Sequence, residues 1–236
     1  MTDEHKRCEE ALEAANKELA ALTYSVSHDL RAPLRTIDGF SEALLEDYEK
    51  QLDEQGRDYL HRIRNAATAM DQMILALTEM SRVANVELRA DDVDVTSVAE
   101  VIVRQLEAKE PSRSVDVKIE RGLTAHGDPR LLRVVFEQLL GNAWKFTSKR
   151  PDARIEVCGA QRDGHRLLLV RDNGAGFDPA HADKMFGAFQ RLHSASEFEG
   201  AGIGLALARR IVNRHQGRIW AEGNVERGAT FYLQLG

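Results

Sequence analysis

A chain of 236 residues is long enough for one large domain or two domains of ordinary size. Its composition, 43% hydrophobic and 30% charged, is typical of a soluble globular protein, and no apolar run approaches the ~20 residues that a bilayer span needs. The net charge of −6 argues against a nucleic-acid partner held by a broad basic surface. Cys8 and Cys158 lie far apart, so they predict neither a disulfide framework nor a zinc site and favour a reducing, cytoplasmic setting.

Residues 1–22 have the pattern of a coiled-coil-like signalling helix. Charged residues of both signs surround apolar residues at the 3-4 spacing of a helix seam. The seam consists of Leu12, Ala15, Leu19, Leu22 and Val26. Because the chain offers no early partner for such a stripe, we expect this helix to dimerise or to continue from an upstream sensor domain.

The stretch from Ser25 to Leu34 places a histidine beside a carboxylate within the same predicted helix. His28 lies two residues beyond the seam position of Val26, so its side chain is expected to face outward. Most exposed histidines are unreactive surface residues, so a chemical role for this one depends on the rest of the chain. Pro33 lacks an N–H donor and is expected to bend or loosen the helix just after His28.

A second helix is predicted after a polar connection that reaches Gly56. Apolar residues follow at helical spacing between Tyr59 and Met80. Residues 23–86 are therefore predicted to form a helical hairpin, and two such hairpins can form a four-helix bundle in a homodimer. The polar residues 87–94 show no periodicity and are interpreted as a linker.

Residues 95–236 alternate between helix and strand patterns. The predicted elements are a helix through 98–106, a strand through 115–119, a helix from Asp128-Pro129, strands at 154–161 and 165–172, a helix at 203–215, and strands at 217–222 and 229–235. Asp128 followed by Pro129 is typical of a helix start, with a capping side chain before a proline at the first helical position. This order predicts an α/β domain in which helices cover an antiparallel or mixed sheet.

Three motifs in this second domain are suited to a nucleotide. Asp172 ends an apolar strand and precedes a glycine turn. Its carboxylate can accept a hydrogen bond from an exocyclic amine, and the glycines allow a ligand to approach the backbone closely. The segment Gly200–Leu205 opens a helix, where backbone N–H groups suit a polyphosphate. Asn142 and Lys145 share one helix face and offer an amide oxygen for Mg²⁺ and an ammonium group for phosphate.

In this order the motifs resemble those of the sensor histidine kinases, in the branch whose helical motif reads Ser-His-Asp-Leu-Arg-Ala-Pro-Leu and which is often found with phytochrome-like light sensors. The matching segments are 25–34 for the H box, 137–147 for the N box, 172–177 for the G1 box, 186–189 for the F box, 200–205 for the G2 box and 228–230 for a last turn. The resemblance implies an all-α helical-hairpin domain, a four-helix bundle in the dimer, followed by a two-layer α/β sandwich of the Bergerat ATP-binding type.

The same resemblance implies a role for each matching residue. His28 would take the γ-phosphoryl group of Mg-ATP, with Asp29 accepting the imidazole proton or orienting the ring, and would pass it to an aspartate on a response regulator receiver domain. Asn142 would bind Mg²⁺, Lys145 the phosphate oxygens and Asp172 the adenine amine. The other residues that would contact the nucleotide are Phe146, Gly174, Gly176, Phe177, Gly202, Ile203, Gly204, Leu205 and Thr230.

The resemblance also implies a mobile lid at residues 178–199, with Phe186 and Phe189 as anchors and Arg191 as a phosphate contact. Two other functions of this nucleotide fold stay open: an ATP-gated binding or scaffold module, and an ATPase without phosphotransfer, such as those of type II topoisomerases or mismatch-repair clamps. Those ATPases place a glutamate base one turn before the magnesium asparagine. Here that position is Gln138, which cannot take a proton from water. Histidine kinases often have asparagine there, so the role of Gln138 stays open.

Overall fold

The computed structural model describes residues 3–236 apart from 163, 195, 196, 199 and 201. The chain divides into two compact units, Met1–Val86 and Glu87–Gly236. The first unit is helical and the second combines helices with strands, as the sequence periodicity predicts. In the described part of the chain, no helix is long and apolar enough to cross a membrane.

The first unit is a hairpin of two long helices, α1 (Asp3–Asp47) and α2 (Glu54–Asn85). Ion pairs show that the helices run antiparallel. Arg31 of α1 lies 3.8 Å from Asp71 of α2, whereas Asp38 and Glu42, which come later in α1, lie 3.1 and 2.8 Å from Arg64, which comes earlier in α2. The predicted helical hairpin is therefore confirmed.

Two details of this hairpin differ from the sequence prediction. α1 is assigned as one helix through Pro33, so the predicted boundary at residue 22 falls inside a single helix. Pro33 removes one helical hydrogen bond, which a helix held by a packed face tolerates. α2 begins before Gly56, because Asp53 caps it by accepting a hydrogen bond from the Gly56 N–H at 2.7 Å.

Large apolar side chains of the hairpin stay exposed in the single chain. Leu34, Ala67 and Ile74 form a small buried cluster. Two rows at heptad spacing, by contrast, are between 42% and 48% exposed. The rows are Leu30, Ile37 and Leu44 on α1, and Ile63, Met70 and Leu77 on α2. Leu22 and Val26 of the predicted seam are exposed as well, and the side chains of Leu12 and Leu19 lie outside the described part. Such stripes are typical of a helix interface that a second chain completes.

The second unit packs helices against a mixed sheet. Its elements are β1 (Asp91–Asp94), α3 (Val95–Lys109), β2 (Asp116–Ile119), β3 (Thr124–Gly127), α4 (Pro129–Phe146), β4 (Arg154–Arg162), β5 (His165–Asp172), α5 (Gly204–Arg214), β6 (Arg218–Asn224) and β7 (Gly228–Gln234). The main sheet has the order β2-β4-β5-β7-β6, with β2 and β4 parallel and the other neighbours antiparallel. β1 and β3 form a separate antiparallel pair.

The inner face of the main sheet packs against α4 and α5. Val157, Val170 and Phe231, from three neighbouring strands, are at most 3% exposed on this face. Side chains alternate between faces along a strand, and Asp172 pairs with the buried Ile155. The carboxylate of Asp172 therefore lies on the inner face, where β5 ends.

The small β1–β3 pair corrects the sequence prediction. Residues 91–94 belong to the predicted linker, yet they form β1 and pair with β3 from Asp91 opposite Gly127 to Asp94 opposite Thr124. β3 is not predicted at all. Each strand has only four residues. In so short a segment, alternation of polar and apolar residues cannot be distinguished from the pattern of a loop. The other predicted helices and strands are confirmed, with ends that differ by a few residues.

Candidate functional site

The candidate residues fall in both units, and the helical unit carries His28 and Asp29. Both side chains are 77% exposed, and Nδ1 of His28 lies 3.2 Å from Oδ1 of Asp29. The preceding Ser27 is buried, so the helix turns its histidine away from the packed side, as the heptad position predicts. When Asp29 accepts a hydrogen bond from Nδ1–H, the neutral ring keeps its lone pair on Nε2, the atom that can attack an electrophile.

In the α/β unit, Asp172 supplies a buried carboxylate. It is 5% exposed and accepts a hydrogen bond from the Gly174 N–H at 2.8 Å. Burial raises the pKa of Asp172 to about 6, although the backbone N–H groups of Gly174 and Ala229 oppose this rise. A carboxylate has several acceptor positions, so it can also take a bond from an exocyclic amine.

The glycine turn after β5 passes close to the end of α4. The N–H of Ala175 donates to the carbonyl oxygen of Phe146 at 3.1 Å. A Cβ on Gly174 would lie 2.5 Å from the same oxygen. Gly176 has φ +63°, and a Cβ there would collide with the carbonyl oxygen of Asn224. Glycine is thus required at both positions, which holds the turn of the G1 box against the N-box helix.

α4 presents Asn142 and Lys145 less than one helical turn apart. Asn142 is half-buried. The ammonium of Lys145 lies 4.4 Å from the ring centroid of Phe146, and a Cβ built on Gly200 would lie 3.3 Å from its Nζ. Lys145 therefore reaches from α4 to the glycine segment before α5, which joins the N box and the G2 box in space.

That glycine segment also approaches the lid and α4 closely. Gly202 has φ +70°, and a Cβ there would lie 2.5 Å from a carbonyl oxygen of the lid. A Cβ on Gly204 would collide with Oε1 of Gln138. The side-chain amide of Gln138, whose role the sequence leaves open, therefore packs against the start of α5. The N-cap residue Ile203 has an apolar side chain that cannot accept hydrogen bonds from the first N–H groups of α5. These N–H groups could therefore bind an anion. Ala201 lies outside the described residues.

The lid segment is anchored differently from the prediction. Phe186 is 4% exposed and packs edge-on against Phe231, with ring centroids 6.4 Å apart. Phe189 is 50% exposed with φ +62°, so the prediction of a second anchor at this residue is wrong. Hydrophobicity alone does not reveal which way a loop residue faces. Arg191 donates from Nη2 to the carbonyl oxygen of Phe198 at 2.6 Å.

An aromatic cluster joins the lid to α4, and sequence reasoning misses two of its members. The ring centroid of Phe146 lies 5.2 Å from that of His193 and 5.0 Å from that of Phe198. The N–H at Nε2 of His193 donates a hydrogen bond to the carbonyl oxygen of Gly176 at 2.9 Å. The signal that could have revealed His193 and Phe198 is the recurrence of ring residues within a polar segment.

Thr230 does not lie beside the other predicted nucleotide residues. It pairs with Arg171 on the neighbouring strand and accepts a hydrogen bond from its Nε at 3.4 Å. Because side chains alternate along a strand, both residues lie on the sheet face opposite to Asp172. The remaining predicted nucleotide residues are Phe177 and Ile203, which are buried, and Leu205, which is half-buried.

The described residues contain no group of three or more His, Cys, Asp or Glu side chains that could hold a metal ion. A cation at this site would instead combine the Asn142 amide oxygen with phosphate oxygens and water. Mg²⁺ is commonly bound in this way, through a few protein oxygens and a nucleotide, because it dehydrates reluctantly. The residues present therefore fit Mg²⁺ delivered with a nucleotide.

Two family models match the two units separately. The model described as "His Kinase A (phospho-acceptor) domain" matches residues 18–85. The model described as "Histidine kinase-, DNA gyrase B-, and HSP90-like ATPase" matches residues 127–236. The first match includes His28 and Asp29, and the second includes Asn142, Lys145 and Asp172.

Curated relatives match almost the whole chain. Cyanobacterial phytochrome B of Nostoc sp. is 35% identical over 95% of this chain and 30% of the relative. The methanogenesis regulatory histidine kinase FilI of Methanothrix harundinacea is 34% identical over 95% of this chain and 25% of the relative. The adaptive-response sensory kinase SasA of Synechococcus sp. (strain JA-3-3Ab) is 30% identical over 100% of this chain and 63% of the relative. The chain thus spans less than a third of the length of the phytochromes it matches.

Solved histidine kinases share the fold. Full-length ShkA in complex with AMPPNP has a TM-score of 0.64 at 22% identity, covering 91% of this chain and 45% of that one. Acinetobacter baumannii histidine kinase AdeS has a TM-score of 0.60 at 18% identity, covering 89% of this chain and 97% of that one. At these identities the likeness concerns the fold alone.

Proposed function

Because this chain belongs to the sensor histidine kinase family, we propose that it is the core of a kinase that phosphorylates His28 from Mg-ATP and then passes the phosphoryl group to an aspartate of a response regulator. The observation that carries the proposal is the exposed His28–Asp29 pair, 3.2 Å apart, in a chain whose second unit has an ATPase fold. Exposure matters because a phosphoacceptor must meet two other molecules, the nucleotide and the regulator.

The chemistry at His28 follows from its tautomer. Asp29 holds the proton on Nδ1, so Nε2 attacks the γ-phosphorus of ATP while the bond from that phosphorus to the bridging oxygen breaks and ADP leaves. The new N–P bond makes the ring cationic, and Asp29 is placed to accept the Nδ1 proton. General bases of this kind contribute roughly 10²–10⁴ in rate. In the second step a regulator carboxylate attacks the same phosphorus and His28 leaves as a neutral imidazole.

The α/β unit would bind and orient the nucleotide. Asp172 would accept a hydrogen bond from the adenine amine, and the glycines at 174 and 176 would allow the base to approach the backbone. Lys145 and the start of α5 would hold the phosphates, with Arg191 as a further contact once it releases the carbonyl of Phe198. Mg²⁺ held by Asn142 would neutralise charge on the phosphates.

Dimerisation through the helical unit is part of the proposal. The two heptad rows on α1 and α2 leave a continuous apolar surface that one hairpin does not bury. Packing two hairpins into a four-helix bundle would cover it, since bundles bury such positions in their core. Such a homodimer would carry two copies of His28 on its surface, together with the start of α1, where an upstream sensor domain would join.

An ATPase or ATP-gated scaffold without phosphotransfer is not favoured. Gln138 stands where such ATPases have their glutamate, and a carboxamide cannot act as a base toward water. In the structure this amide packs at Gly204. A chain of that kind would also have no use for an exposed histidine–carboxylate pair in a phosphoacceptor domain.

The proposal is tested by incubating the purified protein with Mg-ATP carrying a labelled γ-phosphate. We expect acid-labile, base-stable label on the protein and none on His28→Gln, which should still bind ATP. His61→Gln is the matched control, because His61 is likewise exposed in the hairpin, and it should label normally. Label that persists on His28→Gln would contradict the assignment.

A further inference from the structure

His193 joins three parts of the proposed nucleotide site: the lid, the glycine turn of the G1 box and the end of α4. Because a carbonyl oxygen can only accept, the proton of the hydrogen bond to Gly176 lies on Nε2 of His193, 2.9 Å from that oxygen. The imidazole ring also lies 5.2 Å, between centroids, from the ring of Phe146, the last residue of α4. The half-buried His193 thus contacts two predicted nucleotide residues, yet the proposed function gives it no role.

The chain that follows His193 folds into a turn that holds the imidazole in place. The carboxylate of Glu197 accepts hydrogen bonds from the N–H and the hydroxyl of Ser194, at 3.0 and 2.9 Å. The N–H of Phe198 donates to the carbonyl oxygen of Ser194 at 3.3 Å. This turn places the buried Phe198 ring edge-on to the imidazole, with centroids 5.2 Å apart and planes at 68°. Contacts with two phenylalanine rings therefore fix the direction in which His193 donates.

The acceptor of this hydrogen bond lies in a turn that other contacts already restrict. Gly176 is buried and has φ +63°. The neighbouring Ala175 donates to the carbonyl oxygen of Phe146 at 3.1 Å and accepts from the N–H of Glu226 at 2.7 Å. A buried carbonyl without a partner destabilises the fold around it, because its lost hydrogen bonds with water are not replaced. His193 supplies the partner and so stabilises the turn on which the proposed adenine contacts depend.

We infer that His193 is a positioning residue for the nucleotide: its hydrogen bond keeps the G1 turn in the shape that receives adenine, and its ring tethers the lid to α4. This inference rests on the proposed function. At its other end the lid is tethered by the buried Phe186, which packs against Phe231. Residues 187–192 lie between the two tethers and include Arg191. They are therefore the part of the lid that can rearrange when Arg191 turns toward a phosphate.

The inference makes a different prediction from simple packing in the aromatic cluster. His193 acts through Gly176 and Phe146 and not on the reacting phosphorus, so its loss should weaken nucleotide affinity and leave the rate at saturating ATP unchanged. A turn that has the binding shape for only a fraction of the time lowers the apparent affinity by that fraction. Two variants separate the donor from the ring. His193→Phe keeps a ring and removes the donor, whereas His193→Gln removes the ring and keeps an N–H donor.

The first measurement compares KM for ATP and kcat in the labelling reaction of the full chain, and Kd for ADP by isothermal titration calorimetry. For His193→Phe we expect both KM and Kd to rise roughly three- to tenfold, the usual effect of one hydrogen bond, with kcat unchanged. His193→Gln should stay within a factor of about two of the wild-type Kd, because its amide restores the donor. His181→Phe is the control and should bind normally, since His181 is exposed in the same lid and pairs with Asp178 at 3.7 Å. If His193→Phe fails to fold, His193→Leu takes its place, because leucine also lacks a donor.

The second measurement, amide hydrogen exchange, needs no nucleotide. Amides of residues 172–177 should exchange faster in His193→Phe than in the wild-type chain, and no faster in His193→Gln. The inference is overturned if His193→Phe binds ADP as tightly as the wild type, if His193→Gln loses as much affinity as His193→Phe, or if exchange in 172–177 is equal in all three proteins. A wild-type chain that binds ADP but takes no label from ATP would contradict the proposed phosphotransfer alone. The ADP affinities and exchange rates would then still decide the role of His193.

Discussion

The two units of this protein differ in how completely each buries its own apolar surface. In the α/β unit, helices and sheet enclose large side chains such as Phe136, Leu132 and Leu233, all at most 1% exposed. In the hairpin, Leu34 and Ile74 are 8% exposed, while two whole heptad rows stay near half exposure. The α/β unit therefore has a closed core of its own, whereas the hairpin leaves apolar rows that a second hairpin would bury in the proposed dimer.

The two units also carry different parts of the proposed reaction. The proposed nucleotide residues lie on a scaffold fixed by close backbone contacts, such as Gly174 against Phe146. His28 lies on an exposed surface of a helix whose apolar rows the proposed dimer would bury. Changes in one unit should therefore affect binding, and changes in the other should affect the acceptor.

The largest effect is expected from Asn142→Asp in the α/β unit. A carboxylate in place of the amide changes the charge beside the phosphates, so Mg-dependent labelling of His28 should be abolished. Because Asn142 is half-buried and outside the core, the melting temperature without nucleotide should stay within a few degrees. Labelling with a radioactive γ-phosphate and thermal melting check the two parts. A collapse of the fold would show that Asn142 is structural.

Mixing Asn142→Asp with His28→Gln tests whether the two units of one chain or of two chains react with each other. One variant keeps the acceptor and the other keeps the nucleotide site. Activity recovered in the mixture would mean that one subunit phosphorylates its partner, because only a mixed dimer holds both parts. The absence of recovery, with mixed dimers shown to form, would mean that each subunit phosphorylates itself.

The next effect concerns the hairpin alone. Ile37→Glu places a charge in an apolar row that we expect the dimer to bury, so the protein should become monomeric at micromolar concentration and lose most labelling. Its affinity for ATP should be unchanged. Light scattering after gel filtration gives the mass. Arg35→Glu, on an exposed position of the same helix, is the control and should stay dimeric. A dimeric Ile37→Glu would show that this row is not the interface.

A smaller effect is expected from Phe136→Ala in the core of the α/β unit. Phe136 is 0% exposed, so the cavity should cost about 3–5 kcal/mol in the free energy of unfolding of this unit. The helical unit should keep its own unfolding transition, because the lost contacts lie within residues 87–236. Urea unfolding followed by circular dichroism separates the two transitions. Equal shifts of both would mean that the units unfold as one.

The smallest effect concerns pH. The pKa of Asp172 rises from its ordinary value of 3.8 to about 6 on burial. Since the folded protein prefers the protonated form, this group favours folding below pH 4 and loses that contribution as pH rises through about 6. Relative to Asp172→Asn, the wild-type chain should therefore lose at most about 3 kcal/mol between pH 4 and pH 7. Urea unfolding of both proteins at these pH values checks it. A constant difference would contradict the raised pKa.

Much of the site could be predicted from local sequence, because its signals are local. Helix periodicity places His28 outward, and the spacing of Asn142 and Lys145 puts them on one face. For His28, Asn142 and Lys145, neighbours within one or two helical turns decide the position. The motif also contains the glycines at 174 and 176, but the contacts that require them come from Phe146 and Asn224, which are distant in sequence.

Other features depend on residues distant in sequence. The register between β5 and β7 places Thr230 beside Arg171 on the outer face of the sheet. A shift of one residue would move each side chain of the strand to the opposite face. Long-range pairing turned part of the predicted linker into β1. The packing of the lid leaves Phe189 exposed and places the ring of His193 against the ring of Phe146.

The helices, most of the strands, the family motifs and the outward orientation of His28 follow from the local sequence. Only the tertiary structure reveals the sheet faces, the small strand pair and the lid contacts. The physical reason is that helix period, capping and glycine turns are properties of neighbouring residues. Strand register and loop packing, in contrast, are settled by contacts between segments such as β5 and β7, which lie about 60 residues apart in the chain.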